Sequence, residues 1–210
     1  VWIRVPRAVT GSTTAFSATL WRGSRHRALT IFHPRYIGLS AIAKPFILLV
    51  LTDKWVDAIL ILQIICFAQM WYPVHSINLN MLQVLGRSDL FLKLEIIKKI
   101  VGIIILCVAI PHGIIAICYS QWVSTCFGLV INTYYSGKLL KAGLLTQLKM
   151  YIPTLLNSLV MGAICIGVTK LLPEQEYALQ LALGITAGAV YYIASNCIFN
   201  RETVKELLEL

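Results

Sequence analysis

After residue 35 the chain falls into six long apolar runs, each bounded by charge, proline or glycine. They cover roughly 36–51, 58–85, 94–110, 114–135, 152–172 and 177–199. Lys44-Pro45 interrupts the first and Pro73 the second. Pro111-His112-Gly113 ends the third, and Pro173 ends the fifth. Each run is long enough for a helix. A bilayer span needs about 20 apolar residues, and only helices and closed barrels satisfy the backbone in lipid. No ten-residue run alternates in polarity, which argues against a barrel. The pattern predicts an all-α, polytopic transmembrane bundle of six spans.

Polar residues inside the runs are not scattered. In the second run Gln69, Pro73, Ser76, Asn80, Gln83 and Arg87 recur at steps of three and four, on one helical face. In the fourth, Gln121, Thr125, Gly128, Asn132 and Tyr135 do the same. Polar side chains in lipid are costly, so these stripes face protein or water. They line a transport cavity, or they bond neighbouring helices together. Lys44 precedes a proline within the first run. It either meets an anionic headgroup or snorkels to an interface. Glu95, Lys98 and Lys99 are spaced for ion pairs on a solvated helix end, with a gate or phosphate contact as the sharper alternative. Gly184-x-x-x-Gly188 permits close helix packing.

Composition agrees with the pattern. The 210 residues are 58% hydrophobic and 13% charged, against about a quarter charged in a soluble domain. This argues against a disordered chain, an ordinary nucleic-acid-binding domain and a soluble enzyme. The net charge of +9 is uneven. Residues 1–35 carry six Arg and no acid; the remainder carries twelve basic and nine acidic residues, or +3. With the stretch before the first run in the cytoplasm, nine Lys/Arg lie inside (Arg87, Lys93, Lys98, Lys99, Lys138, Lys141, Lys149, Arg201 and Lys205). Only Lys54 and Lys170 lie outside, which places both ends in the cytoplasm. Trp55, Tyr135, Tyr151 and Tyr177 fall at run ends, as an aromatic belt requires.

Residues 1–35 are Arg-rich, and residues 1–30 are Ser/Thr-rich without a sustained period. They read as a segment from a different reading frame or a divergent cytoplasmic loop. The chain opens on Val1, as a fragment does. Residues 201–210 read as an amphipathic helix on the inner leaflet. The six cysteines lie within apolar runs and form no C-x-x-C pair, so they are read as packing residues. No hydrolase, metalloprotease or phosphate-loop motif is present, and the four histidines have no acid at motif spacing. The sequence therefore suggests neither an enzyme nor a metal or cofactor site.

Certain strings carry a family likeness. They are Ile37-Gly38-Leu39-Ser40-Ala41-Ile42-Ala43-Lys44-Pro45-Phe46-Ile47, Asp53-Lys54-Trp55, Leu62-Gln63-Ile64 and Tyr72-Pro73-Val74-His75-Ser76-Ile77-Asn78. Gly86-Arg87-Ser88-Asp89-Leu90 and Lys93-Leu94-Glu95-Ile96-Ile97-Lys98-Lys99 continue them. Together they resemble the C-terminal part of Wzx-type lipopolysaccharide, O-antigen and capsule flippases, within the multidrug, oligosaccharidyl-lipid and polysaccharide exporter superfamily. The resemblance covers 37–210 and is strongest over 37–105; residues 1–30 depart from it.

The resemblance implies a two-lobed transporter, with residues 36–200 as the C-terminal lobe and an N-terminal lobe of the same protein as partner. It implies flipping of undecaprenyl-diphosphate-linked oligosaccharide across the bacterial inner membrane by alternating access. Lys44, Gln69, Ser76, Asn80, Gln83, Arg87, Gln121, Thr125 and Asn132 are then the candidate cavity lining. A cation such as Lys44 or Arg87 would attract the diphosphate. Membrane lipids are the other partners, and nucleic acid is not one. Two alternatives remain: a drug or ion antiporter of the same superfamily, which needs a buried mid-helix acid, and a membrane-embedded glycosyl- or acyltransferase, which needs clustered His, Asp or Glu.

Overall fold

The computed structural model describes residues 30–84, 86–140, 144–173 and 176–199. The Arg-rich start before residue 30 and the tail over 201–210 lie outside them. The described residues form helices and turns, with no strand. Helices α1 (Thr30–Ala41) and α2 (Ala43–Leu51) meet at a bend of 65°. Pro45 explains it. Its ring displaces the carbonyl four residues back, and that residue is Ala41, the last of α1. Ile42 still donates to the Gly38 carbonyl at 3.0 Å, so the chain bends without unravelling.

The same device recurs between α3 (Asp57–Gln69) and α4 (Tyr72–Val84). Pro73 stands four residues after Gln69, and the break falls between them at Met70 and Trp71. Helix α5 (Ser88–Ala109) turns through a short 3-10 segment, Ile110–His112, into α6 (Ile114–Leu140). Gly113 closes that turn at φ +90°, a conformation natural to glycine. Helices α7 (Leu144–Leu171) and α8 (Tyr177–Phe199) form the last hairpin, with Gln180 Nε2 donating to the Pro173 carbonyl at 2.7 Å.

Four stretches are long and apolar enough to cross a membrane: Asp57–Val84, Ile114–Tyr135, Gln147–Leu171 and Tyr177–Ile198. The bent pair α1–α2 makes a fifth if it counts as one span. The expected third span, 94–110, is not among them. Helix α5 is long enough, about 33 Å at 1.5 Å per residue. However, its first twelve residues carry Asp89, Lys93, Glu95, Lys98 and Lys99.

The outer surface is far more apolar than a soluble protein's, and the interior mixes apolar and polar side chains. Outward residues include Ile103, Ile104, Val108, Ile114, Val190, Ile193 and Ile198, each at least 58% accessible. The interior holds Asn78, Asn132, Gln147, Thr133 and Ser158 almost fully buried. Hydrocarbon favours this arrangement, because the polar groups can then only be satisfied by one another. Trp55 is exposed at the α2–α3 turn, as a belt residue should be. Tyr151 departs from the expected belt and is buried with Val74, against Trp71 and Leu148. Helix α7 begins at Leu144, about two turns before Tyr151, so that residue sits inside the helix.

Hydrogen bonds and glycines join the helices. Asn78 Nδ2 on α4 donates to Gln147 Oε1 on α7 at 3.2 Å. Tyr192 on α8 donates to the Thr30 carbonyl on α1 at 2.7 Å. Between α7 and α8, Asn157 Oδ1 accepts from Tyr191 OH at 3.2 Å and from Ser195 Oγ at 2.7 Å. Asn157→Ala leaves both hydroxyls without their acceptor. Interhelical bonds in bilayers average about 0.6 kcal/mol each, so we expect a loss of about 1–2 kcal/mol. Unfolding by SDS in mixed micelles reads this; an unchanged midpoint would show the cluster to be incidental. Of the cysteines, Cys66, Cys118 and Cys165 pack inside, while Cys107, Cys126 and Cys197 face outward.

Candidate functional site

A cavity of about 670 Å³ opens between the α3–α4 pair, α5 and α6. Each wall follows from helical spacing. From α6 come Ser120, Gln121, Ser124, Thr125 and Gly128, the polar stripe of the fourth apolar run. The α3–α4 pair contributes Gln69, Tyr72, His75, Ser76 and Asn80. Helix α5 contributes Glu95, Lys98, Lys99, Gly102 and Leu106, at steps of three, one, three and four. The five charges that keep α5 from reading as an apolar span thus divide. Three of them line the cavity.

Lys98 stands ten positions after Ser88, the first residue of α5, or about 15 Å along the axis. Its Nζ donates to Glu95 Oε1, and the side chains are only 18% and 31% accessible. This is a charge pair taken largely out of water, whose partners each lose much if the other is removed. His75 lies beside it. Asn132 Nδ2 stands 3.2 Å from His75 Nδ1 and holds the ring from behind. His75 Nε2 and Asn132 Oδ1 are buried without a well-formed hydrogen bond, although the Thr125 backbone lies close enough to interact with the imidazole. Such atoms are uncommon in folded proteins and mark a place where a polar ligand or water completes the set. Gly128 makes the encounter possible. A Cβ there would come within 3.2 Å of His75 Cε1 and 3.4 Å of Lys98 Cδ.

The nine residues expected in the lining sort into three groups. Gln69, Ser76, Asn80, Gln121 and Thr125 line the cavity. Asn132 is buried behind it and acts through His75. Lys44, Gln83 and Arg87 are not brought there. Lys44 is exposed on α2, which the Pro45 bend directs away from α1. Gln83 is exposed in the last turn of α4. Arg87 leaves the stripe because Gly86, at φ +70°, ends α4 and starts a new direction. Its Nε instead lies 3.5 Å from Asp89 Oδ1 at the exposed start of α5.

The sequence reading missed His75 as a lining residue and weighed Glu95, Lys98 and Lys99 chiefly as a solvated helix end. The usable signal was the continuation of their spacing through Gly102 and Leu106 into apolar sequence. A second cavity, also about 670 Å³, lies between α1, α7 and α8 and is lined mainly by apolar side chains, with Arg35 among them. Among the described residues no group of three or more His, Cys, Asp or Glu is arranged to hold a metal.

Fold and site together define a class: an all-helical chain with several helices able to cross a membrane, as in a multi-pass membrane protein, and with a charged, polar cavity among them. No family model, curated protein or solved structure matches the chain.

Proposed function

We propose that this chain is the C-terminal lobe of a Wzx-type polysaccharide flippase and that its cavity receives the polar head of an undecaprenyl-diphosphate-linked oligosaccharide. The observation that carries the reading is the composition of the cavity: amide, hydroxyl and charged side chains gathered inside a bundle whose outer surface is apolar. Moving a sugar through hydrocarbon strips each hydroxyl of water at a cost of about 2–7 kcal/mol. Gln69, Asn80, Gln121, Ser124 and Thr125 offer replacement hydrogen bonds. Lys98 and Lys99 offer cations for the diphosphate. The resemblance of residues 37–105 to the family supports the same assignment.

On this reading α5 is the sixth span, because Glu95, Lys98 and Lys99 turn their charge to the cavity rather than to lipid. With Lys98 and Lys99 assigned to the cavity, seven Lys/Arg remain on one side against two on the other, and that excess supports both ends lying in the cytoplasm of a bacterial cell, with the chain in its inner membrane. The N-terminal lobe of the same protein would close the cavity's far side, and alternating access would expose it to each leaflet in turn. No covalent chemistry is involved, so the protein acts as a transporter and not as an enzyme.

Gly128→Leu tests the assignment. The added side chain would enter the space between His75 and Lys98. In cells lacking their own exporter, we expect the variant to reach the membrane in normal amount and to abolish surface polysaccharide. Normal export would sink the cavity as the route.

One observation favours a second reading, an ion or drug antiporter of the same superfamily. That function needs an acid within the membrane, and Glu95 sits inside the cavity rather than on a solvated helix end. Proton-driven dye efflux from everted vesicles, with no rescue of surface polysaccharide, would favour it.

A further inference from the structure

Of the charged side chains that line the cavity, two are positive and one negative: Lys98, Lys99 and Glu95. With His75 neutral, the formal sum is +1. The carboxylate is not a bystander. It already holds the ammonium of Lys98, in the more enclosed part of the site. Lys99 is exposed on the same wall. Beside the pair, His75 Nε2 remains a buried polar atom without a well-formed hydrogen bond.

The ammonium has three donors and one already serves Glu95, so any anion that takes Lys98 competes with that carboxylate and sits beside it. A ligand with one negative charge shares the ammonium with the Glu95 carboxylate. Like charges a few ångströms apart in a partly desolvated site repel strongly. Such a ligand gains little. One with two negative charges engages Lys98 and Lys99 together, and the second contact offsets the repulsion.

We propose that Glu95 is a built-in competitor that sets a charge threshold, so that the cavity accepts lipid-linked sugars joined through a diphosphate and discriminates against those joined through a single phosphate. The inference rests on the reading of this cavity as the headgroup site. It assigns Glu95 a role in specificity: the residue holds Lys98 in place and withholds it from monoanions. His75, fixed by Asn132, supplies an uncharged polar contact on the same side.

The test uses the purified full chain in nanodiscs. The probes are two polyprenyl lipids of equal chain length carrying N-acetylglucosamine, one through a diphosphate and one through a monophosphate. Wild type is expected to bind the diphosphate lipid at least about tenfold more tightly. Glu95→Gln is expected to raise affinity for the monophosphate lipid about tenfold and to change the diphosphate lipid much less, so that the ratio collapses. Glu95→Asp, which keeps the charge, should retain most of the ratio. Equal affinities in wild type, or a ratio unchanged by Glu95→Gln, would overturn the threshold and leave the headgroup site standing. Binding of neither lipid would overturn the headgroup reading and the threshold with it. The wild-type ratio needs no variant, so a poorly folded Glu95→Gln does not remove the test.

Discussion

On the proposed function, Lys98→Ala should abolish polysaccharide export and also lower the amount of folded protein. The two losses have one origin. Lys98 neutralises Glu95 inside a cavity where both side chains are less than one-third accessible. Removing one partner of a buried pair costs about 3–5 kcal/mol, because the other charge stays in place unpaired. The open side of the cavity admits water, so the lower end of that range applies here. The double variant Glu95→Gln/Lys98→Met separates structure from function. It buries no charge, so folding should recover. It has also lost the enclosed cation, so export should stay absent. Size-exclusion profiles of detergent extracts report folding, and surface polysaccharide in exporter-deficient cells reports function. Export in the double variant would make Lys98 a structural charge only.

The second large effect is expected at Gly188. Helices α7 and α8 pack closely, and a Cβ at position 188 would fall 2.6 Å from Cys165 Sγ. The nearest atom is a short, buried side chain that also donates to the Gly184 carbonyl at 3.3 Å, so it has little room to yield. Gly188→Val should force the helices apart and cost about 1–3 kcal/mol or more, the range of overpacked cores. Much less folded protein should be recovered from the membrane. Cys165→Ala removes the obstructing sulfur and should partly rescue Gly188→Val. A Gly188→Val protein as abundant and as stable as wild type would mean that α7 and α8 do not meet this closely.

These two sites differ in how far they could be read before folding. Gly184 and Gly188 are four residues apart in an apolar run, and that spacing alone announces a close helix contact. Its partners, Ile42 and Thr169 for Gly184 and Cys165 for Gly188, are not in the pattern. The polar stripe of α6 was fully legible, because one unbroken helix carries Gln121, Thr125 and Gly128 at constant spacing. The stripe from Gln69 to Arg87 was only half legible. It runs on across Pro73, where α3 and α4 still form one span, but is cut at Gly86, whose φ of +70° ends the helix. Gln69, Ser76 and Asn80 stay with the cavity, while Gln83 and Arg87 leave it.

The sequence by itself determined the helical class, the apolar runs, the bend at Pro45 and the turn at Gly113. All of these are set by neighbours within a few positions or by sums over short segments, so local rules suffice. Only the tertiary structure decided what surrounds the Glu95–Lys98 pair, whose spacing the sequence already shows. His75, Glu95 and Gly128 are separated by twenty and thirty-three positions, and no spacing rule links them. They come together because α4 and α5 both approach α6 at Gly128, a residue without a side chain. Lys44 and Arg87, more conspicuous in the sequence, are carried away by the backbone turns beside them. Lys98 finds Glu95 three residues away on its own helix, a local rule, and the fold then builds the cavity around both by bringing α4 and α6 against α5.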